Sequence, residues 1–168
     1  MANDVYSAAT HPEFITGTGS LRVGPDPSAG FSSWVATFPF GPGDDATVGG
    51  DPDLDGIPNL LEYVLGGIPV GAGASDSSIL PKHTVGANNL VFTFRRSDLS
   101  ESDVALKVQW SDKLDTWNDF ASIGAGDALP AVDVTEDSPS AAIDTVVVTI
   151  PRSITSGSKL FVRLVATR

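Results

Sequence analysis

The twelve residues from Asp51 to Glu62, DPDLDGIPNLLE, hold four carboxylates, one amide and one glycine at regular intervals. Hard divalent cations are bound by oxygens, and calcium takes six to eight of them in a forgiving geometry that a short acidic loop can supply. Counted from Asp51, the carboxylates of Asp51, Asp53 and Asp55 fall at positions 1, 3 and 5, with Gly56 at the sharp turn at 6. Ile57 offers its carbonyl at 7, Asn59 a side-chain or water-mediated contact at 9, and Glu62 a bidentate carboxylate at 12. The segment is therefore expected to bind calcium through Asp51, Asp53, Asp55, Ile57, Asn59 and Glu62. Magnesium and manganese suit it less, because so many carboxylates favour the larger and less geometrically demanding ion. The rival reading is a solvated acidic turn in which Asp55 or Asn59 caps the next helix. That turn would leave four crowded acidic groups repelling one another without a counter-charge.

An intracellular calcium sensor of the EF-hand type has its apolar residue at position 8, whereas here Ile57 sits at 7 and Pro58 follows. Proline at 58 fits the first turn of the exiting helix, where a missing N–H is no loss. Asp44 and Asp45, in the preceding loop, could add an oxygen or a second site.

Little else in the chain points to chemistry. Without cysteine, disulfides, thiolate nucleophiles and thiolate metal sites are excluded. The two histidines, His11 and His83, lack the partner spacing of a metal or nucleophile site, and no nucleophile elbow, phosphate-cradling glycine loop or zinc motif is present. Any two of the 21 acidic residues could converge as a glycosidase pair, but no second motif supports it. No enzyme is expected. Trp34, Trp110 and Trp117 raise a carbohydrate-binding reading, since indole faces stack on sugars, yet their periodicity favours core packing. Arg95, Arg96 and Arg163 read as outward strand charges.

Ten basic residues against 21 acidic ones give a net charge of −11, which repels phosphate backbones and anionic lipids and attracts cations. No run approaches the roughly 18 apolar residues of a membrane helix. The opening MANDVYSAATHPEF has neither a basic start nor an apolar run, so an export signal is not expected within this chain.

The elements that must position the acidic loop follow from pattern. FSSWVATF, 31–38, puts Phe31, Trp34, Val35 and Phe38 at helical spacing, ending before Pro39. PNLLEYVLGG predicts a second helix with Leu60, Leu61, Val64 and Leu65 on its apolar face, stopped by Gly66 and Gly67. From residue 79 the period becomes two: Leu90, Phe92 and Phe94 alternate with Val91, Thr93 and Arg95, and Val104, Leu106, Val108 and Trp110 with Ala105, Lys107 and Gln109. Residues 145–150 and 159–166 predict two further strands, with shorter candidates at 119–123 and 131–134. Short strands, 17 glycines, 12 prolines and no crossover helices favour an antiparallel β-sandwich.

Together these residues resemble a module of secreted bacterial proteins. An aromatic helix like FSSWVATF precedes a dockerin- or thrombospondin type 3-like calcium loop of the form D-x-D-x-D-G-x-x-N-x-x-E-Y. LGGIP and a β domain follow, the latter with elements like VFTFRR, VQWSDKLDTWNDF and LFVRLVA. The resemblance covers residues 31–168 and implies a C-terminal-type position in a large surface or secreted protein, with the six ligands already named. The expected fold is mainly β, an immunoglobulin/fibronectin-like antiparallel sandwich with a small helical calcium-loop insertion. Its expected parts are an extended N-terminal segment or edge strands (1–30), a helix–loop–helix subdomain (31–69), a linker (70–78) and the sandwich (79–168). The expected function is a non-enzymatic, calcium-stabilised module for attachment or assembly at the cell surface or outside the cell. Its expected partners are calcium and a neighbouring surface protein or another copy of itself. A fibre subunit with N-terminal strand exchange is the sharper version of this, and a carbohydrate-binding module the alternative.

Overall fold

The computed structural model describes residues 30–71, 74–124 and 131–168. The expected N-terminal arm lies outside them, apart from Gly30. Among the described residues two short helices, α1 (Gly30–Val35) and α2 (Asn59–Leu65), precede seven strands. The strands are β1 (Lys82–Val85), β2 (Asn89–Ser97), β3 (Ala105–Ser111), β4 (Asn118–Ile123), β5 (Val132–Ser140), β6 (Ile143–Pro151) and β7 (Phe161–Thr167). They form a four-stranded sheet, β1-β2-β6-β5, and a three-stranded sheet, β4-β3-β7, with every pairing antiparallel. The fold is thus mainly β, two antiparallel sheets packed together with two short helices.

Alternation places the core. Leu90, Phe92 and Phe94 of β2 and Val146, Val148 and Ile150 of β6 are buried on one sheet, facing Leu106 and Val108 of β3 on the other. Full burial of such side chains stabilises a fold by about 1.5–3 kcal/mol each. The β1 strand, KHTV, is exposed throughout and carries no apolar alternation, which is why the pattern did not mark it.

Both helices pack onto this core. Phe31, Trp34, Phe38 and Tyr63 form one aromatic cluster, with ring centroids 4.9–5.6 Å apart along its contacts. The buried Tyr63 hydroxyl donates to the carbonyl of Leu99. Gly66 ends α2 with φ 72°, a left-handed conformation that glycine adopts without penalty.

At the start of α1 the Asp103 carboxylate accepts from the Phe31 N–H at 2.7 Å and from Arg168 Nε at 2.9 Å. Burial works to raise this carboxyl, but the Phe31 N–H and the Arg168 guanidinium outweigh it and hold the group below the usual carboxylate range. A depressed native pKa contributes stability above the unfolded-state value, and that contribution is lost as pH falls through the native one. Asp103→Asn should therefore destabilise the protein by about 1–2 kcal/mol at neutral pH in urea unfolding. The difference from the wild type should shrink below pH 4, and a constant difference across that range would contradict this role.

One strand residue departs from expectation. Arg95 is half-buried, but Arg96 is 2% exposed and not an outward charge. Its position in β2 shares the parity of Leu90, Phe92 and Phe94, so the alternation carries it to the inner face. Asp144, 1% exposed, is its cross-strand partner in β6, and Glu101 lies 3.6 Å from its guanidinium.

Candidate metal centre

The loop is built by backbone turns that side-chain oxygens hold in place. Asp51 accepts from the N–H of Asp55 at 3.2 Å and of Gly56 at 3.0 Å, and Asp55 accepts from the N–H of Ile57 at 2.7 Å. Leu54 and Gly56 have φ of 61° and 88°. A non-glycine residue in that region costs about 1 kcal/mol or more and persists where its surroundings require it. The product is convergence: carboxylate oxygens of Asp51, Asp53 and Asp55 lie within 4.8 Å of one another. Two oxygens in one calcium shell, each at about 2.3–2.6 Å from the ion, stand at most ~5 Å apart, so the cluster can hold a metal ion.

Glu62 stands outside that tight group and beside it. It projects from the first turn of α2, is 2% exposed, and its Oε2 has no hydrogen-bond partner in the protein. Burial pushes its carboxyl up to about 8, and the charges of Asp53, Asp55 and Asp51 add to the rise. Asp53 Oδ1, Asp55 Oδ2 and Asn59 Oδ1 are likewise buried without a protein partner. An isolated buried carboxylate oxygen costs several kcal/mol, so four orphaned oxygens from one twelve-residue segment are the mark of a site built to share a ligand.

Asn59 has a second task that spacing does not show. Its Nδ2 donates to the carbonyls of Asp45 and Thr47, both at 2.8 Å, and its backbone N–H donates to Gly50 at 2.8 Å. The amide pins the preceding loop against the start of α2, leaving its oxygen for another partner. Ile57 places its side chain in the core at 3% exposure, tying the loop to the sandwich. Asp44 and Asp45 are exposed and engaged in their own turns, accepting from the N–H groups of Gly41 and Thr47 at 2.7 and 2.9 Å.

Two contributors were missed in the sequence. Ser75, in the expected linker, donates to Asp53 Oδ2 through its N–H at 2.6 Å and its hydroxyl at 3.1 Å. A serine 22 residues away gives no local signal. At Gly50 a Cβ would lie 2.0 Å from the Asp45 carbonyl oxygen and 2.9 Å from Asn59 Nδ2. Gly50→Ala must therefore displace backbone, and about 1–3 kcal/mol of destabilisation is expected in thermal unfolding, with weakened metal binding. Wild-type stability and affinity would contradict this packing.

The remaining candidates are placed without forming a site. His83 lies exposed on β1. Trp34 belongs to the aromatic cluster, Trp110 is half-buried in β3, and the face of Trp117 is covered by the Arg163 guanidinium at 4.1 Å. No protein-family model, curated protein or solved structure matches the chain.

Proposed function

We propose that the chain is a non-enzymatic module held together by calcium, serving attachment or assembly outside the cell or at its surface. The observation that carries this reading is Glu62, a carboxylate buried at the root of a helix beside three converging aspartates, with an oxygen that no protein group satisfies. A calcium ion taken up by Asp51, Asp53, Asp55, Glu62, the Asn59 oxygen and the Ile57 carbonyl would neutralise this cluster. It would also fix α2 and Ile57, both part of the core. Because the ligands come together only in the fold, binding free energy becomes folding free energy. The lone loop, locked to the sandwich, suits a structural clamp better than a switch.

Isothermal titration calorimetry tests this. One calcium per chain is expected, with Kd of about 10⁻⁴ M, the tight end of the range that extracellular modules show. Magnesium should bind more weakly, and the Asp51→Asn, Asp55→Asn double variant should show no binding heat. Silence in the wild type at roughly 10 mM calcium, far above that range, would sink the reading.

A further inference from the structure

Two of the chain's ten lysines and arginines meet on the outer face of the four-stranded sheet. Thr93 and Arg95 alternate with the buried Phe92 and Phe94 of β2, so parity turns both outward. Lys82 of β1 is the cross-strand partner of Thr93, and Thr145 of β6 that of Arg95, which puts all four side chains on one face in two adjacent rows. Two turns supply walls. One is the short 3-10 turn Ser77–Ile79, and the other is the irregular tip of the β5–β6 hairpin, which carries Pro139. Sheet and turns bound a cleft of about 170 Å³, lined by those four residues together with Ser78, Leu80 and Pro139 among others.

The cleft carries uncommitted positive charge. Neither Lys82 nor the half-buried Arg95 makes a hydrogen bond or an ion pair with a described residue. The Ser78 hydroxyl and N–H, each donating at 2.9 Å, hold the Asp76 carboxyl below the usual carboxylate range, and Arg95 and Lys82 add only a smaller pull. The local balance is thus one positive charge in excess, on a protein whose net charge is −11. At physiological salt charges are screened over about 8 Å, so the cleft answers to its own groups rather than to distant carboxylates. The hydroxyls add a second requirement. Ser78 Oγ spends its hydrogen on Asp76, and Thr145 Oγ1 spends its own on the Ser138 carbonyl at 2.6 Å, so both can offer a ligand only lone pairs. Cationic donors beside hydroxyl acceptors match a molecule that bears both a carboxylate and hydroxyl groups. An inorganic anion or an acidic protein side chain would satisfy the cations and leave the acceptors unmatched. In size, a cavity of about 150 Å³ holds benzene, so the cleft has room for one six-membered ring, with Leu80 and Pro139 to cover its C–H surface.

We propose that this cleft binds one carboxylated sugar ring of an acidic polysaccharide, with Arg95 and Lys82 on the carboxylate and Ser78 and Thr145 accepting from ring hydroxyls. This deepens the attachment reading above and rests on it, by naming an anionic polysaccharide as the surface to which the module attaches. Arg95 is the anchor, because its planar fork pairs with a carboxylate through two bonds at once, whereas Lys82 acts as a point charge. The tryptophans raised by the sequence take no part, since none of them lines the cleft.

The test titrates the full chain, with calcium and at about 0.15 M salt, with short oligomers of galacturonate, glucuronate and mannuronate, and follows amide shifts by two-dimensional NMR. At least one oligomer should shift the amides of Thr93, Arg95 and Thr145. Its methyl ester, which keeps the hydroxyls and loses the charge, should bind about tenfold more weakly or worse. The Arg95→Gln, Lys82→Gln variant should lose affinity for the acid by the same factor, while its calcium-dependent melting stays that of the wild type. A glutamate oligomer should bind no better than the ester. No shift with any of the three acids, equal binding of acid and ester, a variant that binds as the wild type does, or a glutamate oligomer that binds as well as the sugar would overturn the proposal. If calcium leaves the melting curve unchanged and the sugar still shifts these amides, the calcium reading falls and this site stands.

Discussion

Glu62→Gln is expected to abolish the calcium-dependent rise in melting temperature while leaving the protein in chelator as stable as the wild type or more so. In calcium, a neutral amide cannot supply the anionic oxygens that a hard cation selects, and the loop loses the one carboxylate that reaches it from α2. An ion present at a hundred times its Kd stabilises the fold by about 2.7 kcal/mol. For a chain of this size that corresponds to about 5–10 °C. In chelator the balance reverses, because the wild type must either bury a charge beside three aspartates or take up a proton on Glu62, whose carboxyl is pushed up to about 8, whereas glutamine is neutral without that cost and brings an amide donor to a cluster of orphaned oxygens. Differential scanning fluorimetry of both proteins in both buffers reads the crossing. A variant uniformly less stable than the wild type would instead make Glu62 a packing residue.

Arg96→Ala is the second large effect, at about 3–5 kcal/mol, since it removes the buried positive charge opposite the buried carboxylate of Asp144, its cross-strand neighbour. Asp144 is 1% exposed with one oxygen already unpartnered, and its other oxygen accepts from the Asp137 N–H at 3.0 Å. Glu101 is more exposed and can turn to water. The double variant Arg96→Met, Asp144→Asn should recover most of the loss, because a neutral pair of similar volume leaves no buried charge and the introduced amide keeps an acceptor for the Asp137 N–H. Urea unfolding of the two variants decides it. If the double variant is no better than the single, the guanidinium acts through its contacts rather than by neutralising Asp144.

Much of this was legible from the residues. The period-two runs around Phe92, Val108 and Val146 are buried strands, and the glycine after Leu65 ends its helix in the left-handed conformation that the pattern required. The acidic spacing correctly brought Asp51, Asp53 and Asp55 together, because alternation within a tight turn is a local property. What was not legible depends on distant groups. Ser75 reaches Asp53 from beyond α2, and Asn59 spends its amide nitrogen on carbonyls 12 and 14 residues back. Arg96 was misread for a different reason: charge argued for the surface, whereas strand parity, set by its neighbours, placed it inside. The order of strands in the two sheets is likewise encoded by no local pattern.

The melting curve of the wild-type chain in calcium at about a hundred times its Kd, set against the same protein in chelator, tests most directly whether a cation holds the loop. A rise of about 5–10 °C with calcium, graded with its concentration, is predicted. Superimposable curves would contradict the claim that a cation holds this loop, and with it the module, together.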